Sequence, residues 1–219
     1  MTKIIGILNL TLDSFSDGGM YYDLESAKKH ISEMITQGAD IIDIGAESTR
    51  SGFSDVSADT QINTLAPIIE FINRNHDIKI SIDTRSSEVI NAFSSQNILF
   101  VNDVSSGLHD MNMLKTVSHL KCNYIMTHMP AEHQKGLNKK YNNVLDELNI
   151  FFNERIKSCI EQGIGKEKII IDPGIGFGKS GDSPGKRGLC NGNPCSSGPR
   201  GRSRSFDSRI AECDAGGSP

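Results

Sequence analysis

The 219-residue chain is poor in cysteine, has no long apolar run and carries no excess of basic residues, and each shortage removes a class of protein. Its five cysteines form no C-x-x-C pair, and only Cys122 and Cys159 precede residue 180. Neither a disulfide framework nor a cysteine zinc site is indicated, which leaves those two thiols as small buried hydrophobes or inert surface groups. No stretch approaches the roughly 18 apolar residues that a membrane span requires. The N-terminus, MTKIIGILNLTLDSFSDGG, meets acidic and glycine residues too early to be a secretory signal. A cytoplasmic protein with no membrane partner is therefore expected. A formal charge of −4 and a pI near 5.9 offer no sequence-wide attraction for a polyanion. Nucleic acid is excluded as a general partner, and a small molecule is the expected ligand.

With 37% hydrophobic and 23% charged residues, the chain is long enough for one domain with a substantial core. Composition divides it near Lys179. Residues 180–219 contain 8 Gly, 8 Ser, 4 Pro and three of the five cysteines, and they show no apolar periodicity. Such a segment buries too little apolar surface to offset its ordering entropy, so a disordered tail is expected there. It has the look of vector or out-of-frame translation. The expected domain is residues 1–179.

Within 1–179, short apolar runs alternate with longer amphipathic ones. Strands are expected at 4–10, 41–45, 78–82, 98–101, 123–126 and 168–172. Between the first two, Ala27, Ile31, Met34 and Ile35 recur at helical spacing, with Asp23 placed to cap the start and Gly38 to end the helix. Between the last two, Leu145, Leu148, Phe152, Ile156 and Cys159 form a second stripe ending at Gly163. Strict alternation of strand and helix predicts parallel strands joined by right-handed crossovers. Both a (β/α)8-type barrel and a doubly wound sheet satisfy that. Every strand is followed at its C-terminal end by polar or glycine-rich residues, which converge on one mouth in a barrel but not in an open sheet. No G-x-G-x-x-G opens the first helix, which lowers the dinucleotide-sheet alternative further.

The strand ends carry the chemistry. Asn9 closes the first strand ahead of a glycine-bearing loop, and Ser48, Thr49 and Arg50 emerge together after the second. An arginine fork flanked by hydroxyls suits a phosphate. Asp83, Asn102 and Asp172 end three further strands, and carboxylates beside an amide pair well with a heterocycle edge bearing N–H and amino groups. Taken together, GILNLTLDSFSDGG (6–19), DIIDIGAESTRSG (40–52), SIDT (81–84), NDVSSG (102–107) and DPGIGFGK (172–179) resemble the dihydropteroate synthase family, in order and at appropriate spacing.

The resemblance implies a transferase that condenses 6-hydroxymethyl-7,8-dihydropterin diphosphate with p-aminobenzoate. It implies Asp83, Asn102, Asp172 and Met126 as pterin contacts and Thr49 and Arg50 on diphosphate and p-aminobenzoate. Phe177 would wall the p-aminobenzoate site, and Asn9 would hold a Mg2+ ion. Asp83 and Arg50 carry the catalytic roles, and a homodimer is implied for an intact enzyme. Two positions depart from the family pattern, Leu12 and Ser51 standing where it has proline. A seventh strand ending in Ser-Arg-Lys and an eighth carrying Arg-x-His have no counterpart after Lys179. The expectation is thus an incomplete barrel of about six βα units with negligible synthase turnover. Pterin-dependent methyl transfer and a non-catalytic pterin-binding remnant are the competing readings. His128 and His133 lack a third ligand and are expected to be structural, hydrogen-bonded histidines.

Overall fold

The structure is a computed structural model that describes residues 2–10, 20–137, 139–179 and 204–206. Residues 11–19, with Leu12, and most of 180–219 lie outside the described residues. Six strands, β1 (Lys3–Asn9), β2 (Ile41–Gly45), β3 (Lys79–Asp83), β4 (Ile98–Asp103), β5 (Asn123–Thr127) and β6 (Ile169–Asp172), fall where the apolar runs predict them. Between them lie α1 (Met20–Thr36), α2 (Ala58–Asn75), α3 (Ser87–Ala92), α4 (Met113–Leu120), α5 (Ala131–Gln134) and α6 (Val144–Glu161). A short strand within the region expected to be strandless, β7 (Arg204–Phe206), lies antiparallel against β1, with Ser205 opposite Ile4.

Strand order decides between the two architectures. A doubly wound sheet reverses direction at a switch point, whereas β1 to β6 run side by side in chain order and all parallel. Laid flat at about 4.8 Å spacing, β1 and β6 would sit roughly 24 Å apart. Ile7 and Asn9 of β1 nevertheless share one cavity with Asp172 of β6. The sheet therefore curls into part of a (β/α) barrel.

Strand alternation sorts the residues. Leu8, Ile42, Ile44, Ile80, Ile82, Val101, Tyr124 and Met126 point outward and are buried against the helices in one core. Burying each isoleucine there contributes about 1.5–3 kcal/mol. The helices present matching stripes: Ala27 and Ile31 on α1, Leu65, Ile68, Ile69 and Ile72 on α2, and Leu148, Phe152 and Cys159 on α6. Leu145, placed in that last stripe by spacing, is 45% exposed, and Val144 takes the buried position instead. Asn143 caps α6 by accepting from the Leu145 and Asp146 amides. Helix α1 begins at Met20, so Asp23 lies within the helix and not at the start where the sequence reading placed it. Gly38 and Gly163 adopt φ of +98° and +88°, as glycines that end a helix do.

Candidate functional site

The inward-facing residues at the strand ends are polar where the outward-facing ones are not. Register places Asn9, Gly45, Asp83 and Asn102 side by side across β1 to β4, with Ile7, Asp43 and Ser81 one layer below. Parallel strands in register bring these positions to one end of the curl. Of these, Ile7, Asn9, Asp43, Asp83 and Asn102 floor a cavity of about 390 Å³, a size suited to a small-molecule ligand. Its rim comes from the loop after β2, which supplies Thr49, Arg50 and Ser51, and from the loop after β6, which supplies Gly174, Gly176 and Phe177. Asn9, Thr49, Arg50, Asp83, Asn102, Asp172 and Phe177 all line this one space. Met126 does not. It is fully buried in the helix-facing core, because Ile125 and Thr127 take the inward positions on β5.

The floor is acidic and crowded. Asp83 is half-buried, and burial together with the nearby carboxylates of Asp43, Asp103 and Glu47 holds its carboxyl well above the usual carboxylate range. Burial raises Asp43 as well. Gly45 lies beside Asp83, where a Cβ would come within 3.1 Å of the Asp83 Cβ, so a small residue is needed for the two strand ends to meet. Asp103, two residues along β4 from Val101, faces outward with it, away from the cavity. Its carboxylate accepts from the Ser105 and Gly107 amides, the Ser105 hydroxyl and the Tyr124 hydroxyl, and it braces the turn after β4. On β6, Asp172 Oδ1 accepts from the Gly174 amide at 2.8 Å, and Oδ2 lies 3.5 Å from the Thr127 hydroxyl.

Two anchors hold the loop that bears Thr49 and Arg50. On one side, Arg85 donates from Nε and Nη2 to the two oxygens of Glu47, each at 2.7 Å, and from Nη2 to Asp55 at 2.8 Å. The guanidinium also lies over the Phe53 ring and donates from Nη1 toward His109. Glu47 further accepts the Val56 amide. On the other side, His133 Nε2 lies 3.1 Å from the Thr49 carbonyl, so that nitrogen carries the proton. The His133 carbonyl accepts from the Gly52 amide and the Ser51 hydroxyl. Ser51, standing where a proline restraint is absent, is thereby tied to α5. Phe177 meets the His133 ring edge to face, with centroids 5.0 Å apart.

His128 and His133 are both buried but differ in role. His133 lines the cavity, while His128 packs under Phe151 and Tyr141 with its Nδ1 unpaired. Burial, with Lys179 and Lys139 nearby, pushes His128 down to about 4. Lys179 donates to the His128 and Gly174 carbonyls and is lowered to about 8, chiefly by burial. Sequence reasoning passed over Asp43, Arg85 and the Glu47 partnership. A carboxylate inside the otherwise apolar IIDIG run was the available signal for Asp43, whereas nothing in the sequence pairs residues 47 and 85.

Among the described residues, no group of three or more His, Cys, Asp or Glu side chains is arranged to hold a metal ion, and no helix is long and apolar enough to cross a membrane.

Residues 5–184 match the family model described as "Pterin binding enzyme". Dihydropteroate synthase of Escherichia coli K12 is 39% identical over 180 residues, covering 81% of this chain and 63% of the relative. The structure of the Clostridium difficile dihydropteroate synthase determined in the presence of pteroic acid superposes with a TM-score of 0.74 at 38% identity, covering 82% of this chain and 66% of that one. The Xanthomonas albilineans dihydropteroate synthase with 4-aminobenzoic acid gives 0.71 at 36% identity, covering 80% and 62%. This chain spans less than two thirds of the length of the curated relative.

Proposed function

The chain belongs to the pterin-binding enzyme family, and from that premise we propose that its cavity receives the pterin and p-aminobenzoate substrates of dihydropteroate synthesis. The observation that carries the reading is the convergence of Asn9, Thr49, Arg50, Asp83, Asn102, Asp172 and Phe177 on one cavity. Asp172 faces the 2-amino and N3–H edge of the ring. Its Oδ1 is held by the Gly174 amide, which fixes the carboxylate plane against two parallel donors. Asn102 and Asp83 take the remaining ring edge. Thr49 and Arg50, at the rim, receive the diphosphate and the carboxylate end of p-aminobenzoate. Phe177 gives the arylamine an apolar wall.

Chemistry follows from that placement. The C–O bond between the pterin methylene and diphosphate breaks, and the electron pair leaves on the diphosphate oxygen. The cation left on the methylene is shared with the ring. Asp83, on the cavity floor beside the methylene, stabilises that positive charge electrostatically as it develops. The arylamine nitrogen then forms the C–N bond and releases a proton. Arg50 stabilises the departing diphosphate. Asn9, exposed at the mouth, would offer one amide oxygen to a magnesium ion whose other ligands are water and phosphate oxygens. That ion would supply charge neutralisation on the leaving group. No nucleophilic side chain is required.

The test is calorimetric titration of the full chain with 6-hydroxymethylpterin. Asp172→Asn replaces an acceptor by a donor opposite the ring donors, and mispairing of this kind costs about 1.5–3 kcal/mol, or roughly 10- to 150-fold in Kd. Unchanged binding by this variant would refute the assignment.

A further inference from the structure

A carboxylate in the middle of β2 remains unexplained by the reading above. Asp43 is 4% exposed and lines the cavity one layer beneath Asp83. Its Oδ2 accepts from the Asn102 Nδ2 at 3.0 Å, across 59 residues of sequence, while its Oδ1 is buried without a partner. An ionised carboxylate has acceptors only, whereas an amide carries an acceptor on one side and two donors on the other. The two ends of an asparagine amide are nearly isosteric, so shape alone does not select between its orientations. The carboxylate does select, because turning the amide over would set oxygen against oxygen in a buried site.

Resting on the pterin-site reading, we infer that Asp43 is a positioning residue that locks the Asn102 amide in one orientation and so sets the order of donor and acceptor that the cavity shows to its ligand. One Nδ2 proton is consumed by Asp43. The other, and the carbonyl oxygen, remain for the ring at fixed places. A heterocycle edge that sets a bare ring nitrogen beside an N–H matches this order in only one direction, so Asp43 determines which way round a ring is accepted without contacting it through its bonded oxygen. The Asn102 Nδ2 donates to Asp43 Oδ2, so Asp43 is the acceptor of the pair. The neighbouring layer helps: Asn102 and Asp83 are register partners on adjacent strands, so the amide is confined laterally as well as from below.

The closing experiment is a double-mutant cycle on the full chain, with 6-hydroxymethylpterin as the calorimetric probe. Asp43→Asn keeps shape and volume but accepts Asn102 in either orientation. It is expected to weaken binding about tenfold, the scale of one lost charge-assisted pairing. In an Asn102→Ala background the same Asp43→Asn change is expected to alter affinity by less than about twofold, because the residue acts through Asn102. Additive effects, or full affinity in the Asp43→Asn single variant, would overturn the inference while leaving the pterin reading intact. Absence of pterin binding by the unsubstituted chain would overturn the reading and this inference together. A ligand-independent measurement guards against a variant that fails to fold. In the unsubstituted chain the two Asn102 side-chain amide protons should be well separated in the NMR spectrum, with one protected from exchange. A degenerate, rapidly exchanging pair would overturn the inference.

Discussion

Replacing Arg85 with leucine removes the anchor between the β2 loop and the start of α3, and the structure sets the size of the effect. The Arg85 side chain is 3% exposed and that of Glu47 5%, so their bidentate pair is buried on both sides. Losing the guanidinium leaves Glu47 as a buried anion whose remaining partner is the Val56 amide at 3.0 Å. Breaking a buried pair from one side costs about 3–5 kcal/mol. The bond to Asp55, whose side chain is 57% exposed, adds at most about 1 kcal/mol, and the stack on Phe53 about as much again. Arg85→Leu should therefore lower the urea-unfolding free energy by roughly 3–7 kcal/mol at an unchanged slope. An Arg85→Leu, Glu47→Leu double variant should recover most of that, since the cost lies in the stranded charge and a matched apolar pair has none. Affinity for a pterin should fall less than affinity for diphosphate-bearing ligands, because the loop holds Thr49 and Arg50 and not the floor. A loss below about 1 kcal/mol in the single variant, or a double variant no more stable than the single, would refute this account.

His128 should impose an acid limb on stability. Its folded pKa of about 4 lies below the ordinary histidine value of 6.5, so between those values the unfolded chain binds a proton that the folded chain refuses. Stability contributed this way is present above about 6.5 and falls as pH drops toward 4, by roughly 3 kcal/mol in all. The raised carboxyls Asp43, Asp83 and Asp103 act in the opposite sense, since the folded state holds their protons longer. The quantity to measure is therefore the difference between wild type and His128→Asn across pH 4–7, and a difference independent of pH would contradict the assignment. Gly174→Ala should be severe. Its φ of +62° disfavours any side chain, and a Cβ there would lie 2.3 Å from the His128 carbonyl oxygen, a backbone atom that also receives Lys179. A loss of at least about 2 kcal/mol in thermal unfolding is expected, with weaker pterin binding because the Gly174 amide orients Asp172. A variant with wild-type melting temperature would count against this.

Placing the cavity residues around a curled sheet sets the order in which substitutions matter. Residues on the floor, Asp43, Asp83, Asn102 and Asp172, come from strands and move with the core. Residues on the rim come from loops secured by a few side-chain anchors, Arg85 and His133 above all. Floor substitutions alter what the cavity recognises. Anchor substitutions alter how firmly the rim is presented.

Six strands, the helices α1 and α6 and the set of strand-end residues were legible in the amino-acid order, because apolar periodicity and chain-local glycines are properties of neighbouring residues. Gly38 and Gly163 illustrate this, each being readable as a helix terminator and each adopting positive φ. The faces of the strands were less legible. Met126 and Thr127 are adjacent, and only pairing with β4 and β6 turns the threonine inward and the methionine into the helix-facing core. Asp43 and Asp103 look alike in sequence, each a carboxylate in an apolar strand. One faces the cavity and orients an amide; the other is satisfied beneath a turn. By itself the sequence determined the alternation of strands and helices and the chemical types available at the strand ends. Tertiary structure alone decided that Arg85 meets Glu47, that His133 meets Thr49 and that Asp43 meets Asn102. Those choices depend on strand register and on the curl of the sheet, and no local pattern encodes the distance between residues that the chain separates by 38, 84 or 59 positions.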